Sequence, residues 1–296
     1  MTRAERNSEA DPVFNEALAA FHAIEDANSR SQTLVDLSET LAEAGRFTQA
    51  LEVSHSISPD GRSQALSDVA FALAEAGRVT EALDVVHEIE DTTKRASALS
   101  EMAGALAKAG RTSEAFDAAR GTESAGYRSL AMSRVGGALT EVGRADEAAH
   151  AFGEALDVAL GDEDPNGSMH SLASLARILA KSGHSAEALD VASRIDIPYY
   201  HYRIWALTGV AAALVLAGHA NESGHVFGEA REIANGIRND PYGQGKLLSD
   251  IVGELVNGNR TAEALGVART IELDRYRASA LSKVAASMAG AGPPSA

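Results

Sequence analysis

Cysteine is missing from all 296 residues, which excludes disulfides, thiol nucleophiles and thiolate metal sites. Aromatic side chains make up only 5%, with a single tryptophan, so the 45% hydrophobic content rests mostly on Ala, Leu and Val. Small side chains at that density suit closely packed helices, and so much apolar material argues against disorder. No long hydrophobic run is present. The most apolar stretch, Ile204 to Ala217, is shorter than the roughly 20 residues a spanning helix needs, and reads as a buried helix. The opening segment, Met1 to Asp11, is polar and mixed in charge, with no apolar signal core.

Positive charge is also in short supply. Twenty-six Lys and Arg stand against 42 Asp and Glu, for a net charge of −16. Nucleic-acid affinity comes largely from neutralising phosphates, so neither a nucleic acid nor an anionic membrane is an expected partner, and a cytoplasmic location is. The chain has no His-Glu-x-x-His, phosphate loop, dinucleotide fingerprint or nucleophile elbow. Its carboxylates are spread out, and spacing alone pairs none of them as general acid and base. The expectation is a protein that is not an enzyme, with no cofactor and no metal site.

What the chain has instead is a recurring phrase: an apolar stretch, Gly-Arg or Gly-His, then a run ending in Ala-Leu. It stands at Ala44–Leu51, Ala76–Leu83 and Ser182–Leu189. With the loop glycine as position zero, the register falls at Gly45, Gly77, Gly110, Gly143, Gly183, Gly218 and Gly292, with Asn259 taking the place before the last. Asn is the next-best residue after Gly in a left-handed helix-terminating turn. Counted from Pro12, the spacings are 33, 32, 33, 33, 40, 35, 41 and 33 residues. A globular chain of this length would usually make two domains. A repeat instead grows in one dimension, each unit touching its neighbours.

Three apolar columns precede the zero. Leu41, Leu73, Leu106, Leu139, Leu179, Leu214, Leu255 and Met288 stand four before it. Eight before stand Leu37, Val69, Met102, Val135, Leu175, Val210, Ile251 and Val284. The column eleven before runs from Leu34 through Leu172 to Leu281. Offsets of three, four and seven put all three on one helical face. Five after the zero the residue stays small: Ala17, Ala50, Ala82, Ala115, Ala148, Ala188, Ser223 and Ala264. A second helix must approach closely there. Each unit is therefore helix A, a tight turn and helix B.

The small residues seven before the zero (Ala70, Ala103, Gly136, Ala176) and the alanine five after it resemble the tetratricopeptide repeat, a helix–turn–helix of 34 residues. Two departures stand out: Leu replaces the family's large aromatics in helix A, and the proline between repeats is mostly absent. The resemblance covers roughly Pro12 to Gly292 and implies an all-α, TPR-like α-solenoid of about seven hairpins with a half repeat at each end. The expected layout is a tail over 1–12, one solenoid domain over 13–290 and a tail over 291–296. The lone last helix, about Tyr276 to Ala289, has no helix B after it, so self-association or docking through that end is a hypothesis. Two long units, at spacings 40 and 41, should carry a helix B about two turns longer.

In that family, helix A lines a concave groove that holds peptides. The resemblance places Gln32, Gln64, Ser97, Leu130, His170, Trp205, Lys246 and Ser279 thirteen before the zero on this groove. It places Glu39, Phe71, Gly104, Gly137, Arg177, Ala212, Gly253 and Ala286 there six before the zero. Hydroxyls ten before it (Ser67, Ser100, Ser133, Thr208, Ser249, Ser282) would leave a roomy floor. The candidate partner-binding residues are Glu39, Phe71, His170, Arg177, Tyr199, Tyr200, Trp205 and Lys246. Trp, Tyr and Arg are the residue types favoured in binding hot spots.

Trp205 has a second reading, as a plug for the gap left by the preceding long repeat. The function expected is a non-catalytic scaffold or sensor holding a protein or peptide; the alternative is an enzyme or small-molecule binder using the groove around His170, Arg177 and Trp205. Three further patterns read as structural. Arg30, Arg62, Arg95, Arg128, Arg203 and Arg277, fifteen before the zero, read as latches onto nearby acids or onto carbonyls ending the previous helix B. His22, His55 and His87 share a column, but stacked helices lie about 8–10 Å apart, too far to share one zinc. Asp162–Gly167 matches half of a calcium loop but has Ala173 where a bidentate acid is required, so it reads as a helix-capping turn.

Overall fold

The computed structural model describes residues 12–14, 16, 20, 26–238 and 240–290. The two expected tails and most of the lone first helix lie outside the described residues, as do Ala17, His22 and Gly292. Among the described residues there is no β-strand and no helix long and apolar enough to cross a membrane. The fold is an all-α stack of helix hairpins in two compact units, Met1–Gly121 and Thr122–Ala296.

The first unit runs through α1 (Ala27–Glu43), α2 (Phe47–Ser56), α3 (Pro59–Glu75), α4 (Val79–His87), α5 (Thr92–Lys108) and α6 (Thr112–Arg120). The A helices α1, α3 and α5 pack side by side, each paired with the B helix that follows it. The second unit runs through α7 (Ala125–Glu141), α8 (Ala145–Leu160), α9 (Pro165–Lys181) and α10 (Ser185–Ser193). After a 3-10 turn at Ile197–Tyr199 it continues with α11 (Tyr200–Leu216), α12 (Ala220–Asn235), α13 (Pro241–Asn257), α14 (Thr261–Thr270) and α15 (Asp274–Met288). Its A helices α7, α9, α11, α13 and α15 pack in sequence, so their outer face is one continuous surface within the unit. The two long B helices, α8 and α12, have 16 residues against 9 or 10 in the others, the expected two extra turns.

The turn follows the chemistry of its zero residue. Gly45, Gly77, Gly110, Gly143, Gly183 and Gly218 all have positive φ, and Asn259 takes φ 56° in the same place. At the last turn Gly290 has positive φ, and the counted position, Gly292, lies outside the described residues. Val284 remains buried in its column, while Leu281 is only partly buried and Met288 is left exposed.

The apolar columns form the core. Leu41, Leu73, Leu106, Leu139, Leu179, Leu214 and Leu255 are all buried, as is the small column from Ala50 to Ala264. Each buried leucine contributes about 1.5–3 kcal/mol. Where serine replaces alanine, its hydroxyl bonds across the hairpin: Ser38 donates to the Ala50 carbonyl at 3.1 Å and Ser223 to that of Ala211 at 2.9 Å. A further column, not read from the sequence, closes helix B: Ile57, Ile89, Ile195 and Ile271 are buried.

The arginines fifteen before the zero latch onto this column. Arg62 donates to the Ile57 carbonyl, Arg95 to that of Ile89, Arg128 to that of Thr122 and Arg277 to that of Ile271. Arg203 is the exception. The 3-10 turn lengthens its link to Ile195; it pairs with Glu229 at 2.9 Å, and its Nε is buried without a partner among the described residues. The Arg of the Gly-Arg phrase is also explained. Arg78, Arg111, Arg144 and Arg260 each pair with the glutamate three residues on. Arg78 and Arg260 also lie over Phe47 and Phe227 of the preceding B helices.

Candidate functional site

The expected site residues separate by unit. Glu39 and Phe71 stand on α1 and α3 of the first unit, both exposed. Between their helices and α5 lies an acidic face. Burial raises the pKa of Asp68 to about 6, the carboxylates of Glu39 and Glu101 add to the shift, and the Gln64 hydrogen bond and Lys94 oppose it.

The other six belong to the second unit. His170 and Arg177 project from α9, seven residues and about 10.5 Å apart along the helix. Trp205 of α11 reaches both. The His170 ring lies parallel to the indole, centroids 5.6 Å apart and planes within 9°. The Arg177 guanidinium lies over the indole at 4.9 Å and donates through Nη1 to the Trp205 carbonyl at 3.1 Å. Thr208 donates to the same carbonyl at 3.1 Å. Trp205 is thus held by two side chains of the neighbouring helix, yet 38% of its surface stays exposed. Burial lowers the pKa of Arg177, against the pull of the Glu254 carboxylate.

Beside the indole is a pocket of about 480 Å³, lined by His170, Tyr200, His201, Tyr202, Trp205, Asp240, Gly243, Lys246, Leu247 and Asp250. Of the expected residues it gathers His170, Tyr200, Trp205 and Lys246. Tyr199 closes the 3-10 turn and precedes α11 instead. His201, Tyr202, Asp240 and Asp250 were not singled out as binding residues from the sequence. Here Asp240 caps α13, accepting from the Gly243 amide at 2.8 Å. Partial burial lowers the pKa of His201 and raises that of Asp250, the latter opposed by Lys283 and Lys246.

No family model matches the chain, and no curated protein does either. Among solved structures it is similar to the crystal structure of Ton1535 from Thermococcus onnurineus NA1, at 20% identity over 96% of this chain and 99% of that one, with a TM-score of 0.26. A likeness at that score carries no weight for fold or function.

The floor expected from the hydroxyl and glycine columns takes a different form. Ser100, Ser133, Thr208 and Ser249 are buried between helices, with Ser133 donating to the Ser129 carbonyl at 2.8 Å. A Cβ on Gly137 would touch Ile178 at 3.3 Å. The small residues admit side chains of the neighbouring A helix, and the cavity opens among the aromatics instead. The remaining sequence patterns are structural in place. His55 bonds Glu88 at 2.7 Å, and Asp164 caps α9 by accepting from the Asn166 and Gly167 amides. Among the described residues, no three His, Asp or Glu side chains are grouped to hold a metal.

Proposed function

We propose that this chain is a non-catalytic protein- or peptide-binding module that holds a partner segment on the A-helix face of the second unit, anchored beside Trp205. The observation behind this reading is the pocket itself. In a chain where Phe, Trp and Tyr make up only 5%, three of them, Tyr200, Tyr202 and Trp205, line one cavity together with His170 and His201. Three successive A helices, α9, α11 and α13, build that face, which offers an extended peptide a continuous track. The resemblance of the repeat columns to the tetratricopeptide repeat supports the same reading, by fold analogy.

The test is selection of random peptides on the immobilised full chain, followed by anisotropy titrations against wild type and Trp205→Ala. Selected peptides should bind the variant at least about tenfold more weakly, a loss of about 1.4 kcal/mol, while its melting temperature stays within a few degrees. A failure to select any peptide, or equal affinity for both proteins, removes the proposal. A second reading, a small-molecule site, is favoured by the cavity's size, which falls in the range of about 300–1,000 Å³ typical of such sites. A metabolite that raises the melting temperature of wild type but not of Trp205→Ala, with no peptide selected, would replace the first reading with this one.

A further inference from the structure

We infer that the second unit's pocket takes a guanidinium group, the side chain of an arginine on the bound peptide, between the rings of Tyr200, Tyr202 and Trp205 and the carboxylate of Asp250. The peptide as the source of that arginine rests on the reading above; the chemistry of the pocket does not.

Aromatic faces attract cations through their quadrupole, and the flat guanidinium stacks on them better than an ammonium does. The unit already uses this contact internally. Arg275 lies 4.5 Å from the ring centroids of both Tyr242 and Tyr276, and Arg177 lies 4.9 Å from that of Trp205. The pocket lining itself carries two carboxylates, Asp240 and Asp250, and one ammonium, Lys246, with Lys283 acting on Asp250 and Arg177 lying over the Trp205 ring from outside the lining. Asp240 is occupied as the cap of α13. Asp250 is the carboxylate left to receive a fork of N–H donors, in the bidentate geometry that guanidinium favours. An incoming cation would offset the cost of Asp250's partial burial, as Lys283 and Lys246 already do in part. His201 is held toward its neutral form by partial burial and adds little positive charge near pH 7. The net charge of −16 draws cations toward the whole surface.

Lys246 supplies a test of sign. It opposes a cation and would favour an anion, so its removal separates the two occupants. Trp205 is the only tryptophan, and its fluorescence therefore reports from the pocket wall. The experiment titrates the full chain with N-acetyl-arginine methylamide and with the neutral citrulline analogue, each alone and within one of the selected peptides. The arginine form should give a saturable change in emission, with affinity at least about tenfold above citrulline. Asp250→Asn should weaken it by a similar factor and Lys246→Gln should tighten it. Melting curves check that both variants fold.

Equal response to arginine and citrulline, weakening by Lys246→Gln, or no saturable change overturns the inference. Selected peptides that bind at Trp205 with no need for arginine would overturn it and leave the peptide reading standing. Binding of the arginine amide with these signs, but of no peptide, would uphold the pocket and remove the peptide reading.

Discussion

Arg177 lies across α11 at Gly209, its Cγ and Nη1 2.5 Å from where a Cβ on that glycine would stand. Any side chain there would force the guanidinium off the Trp205 ring and its carbonyl. Gly209→Ala should therefore do two opposing things. It gains up to about 1 kcal/mol of helix propensity and loses a charge-assisted hydrogen bond of about 1.5–3 kcal/mol, for a modest net loss. The melting temperature should move by only a few degrees. The emission of Trp205 should shift clearly, since its cation neighbour is displaced; unchanged emission would show that Arg177 does not need the glycine.

Asn259 gives a cleaner backbone test. It holds φ at 56° where its sister positions hold glycine. Asn259→Gly should leave stability within a few tenths of a kcal/mol or improve it, whereas Asn259→Ala should cost about 1 kcal/mol, because a Cβ is strained in that conformation. Chemical denaturation of the two variants side by side checks the order.

The arginine latches are testable one at a time. Arg62 donates twice to the Ile57 carbonyl, at 3.2 and 3.0 Å. Arg62→Met keeps most of the apolar stem and strands a carbonyl beside a buried side chain. The expected loss is about 1–3 kcal/mol, read by urea unfolding. No loss would return this column to the surface.

The hairpin register could be read from the chain because each turn needs a left-handed residue and each A–B contact a small one. Both demands recur in every unit, from Gly45 and Ala50 to Asn259 and Ala264. The arginine column was read as latching onto acids or carbonyls, and it uses both: Arg62, Arg95, Arg128 and Arg277 reach carbonyls, Arg277 also bonds Asp274, and Arg203 pairs with Glu229. The pocket was only half visible. Trp205, His170 and Lys246 share a column, but Asp250 and His201 reach the cavity from other offsets, and only side-chain packing brings them in. The hydroxyl and glycine columns misled for a related reason. From the sequence, a small or missing side chain looks like open space, yet Ile178 fills the room over Gly137.

The first unit should show an acid-dependent stability. The pKa of Asp68 rises from 3.8 to about 6 on folding, so the folded state holds this proton more tightly than the unfolded chain. The stabilisation is present below the unfolded value and is lost as pH climbs through about 6. Asp68→Asn removes the charge without changing shape. The variant should melt above wild type at pH 7.5, and the gap should close by pH 4. A gap that is constant with pH would mean that Asp68 titrates normally.

The placement of the partner is tested most directly by amide hydrogen exchange on the full chain, with and without a selected peptide. Protection should appear at the 3-10 turn and first turns of α11, residues 197–205, and along the start of α13, residues 240–250, which frame the pocket. Protection confined to the B helices or to the first unit, or no change at all, would contradict a partner seated beside Trp205.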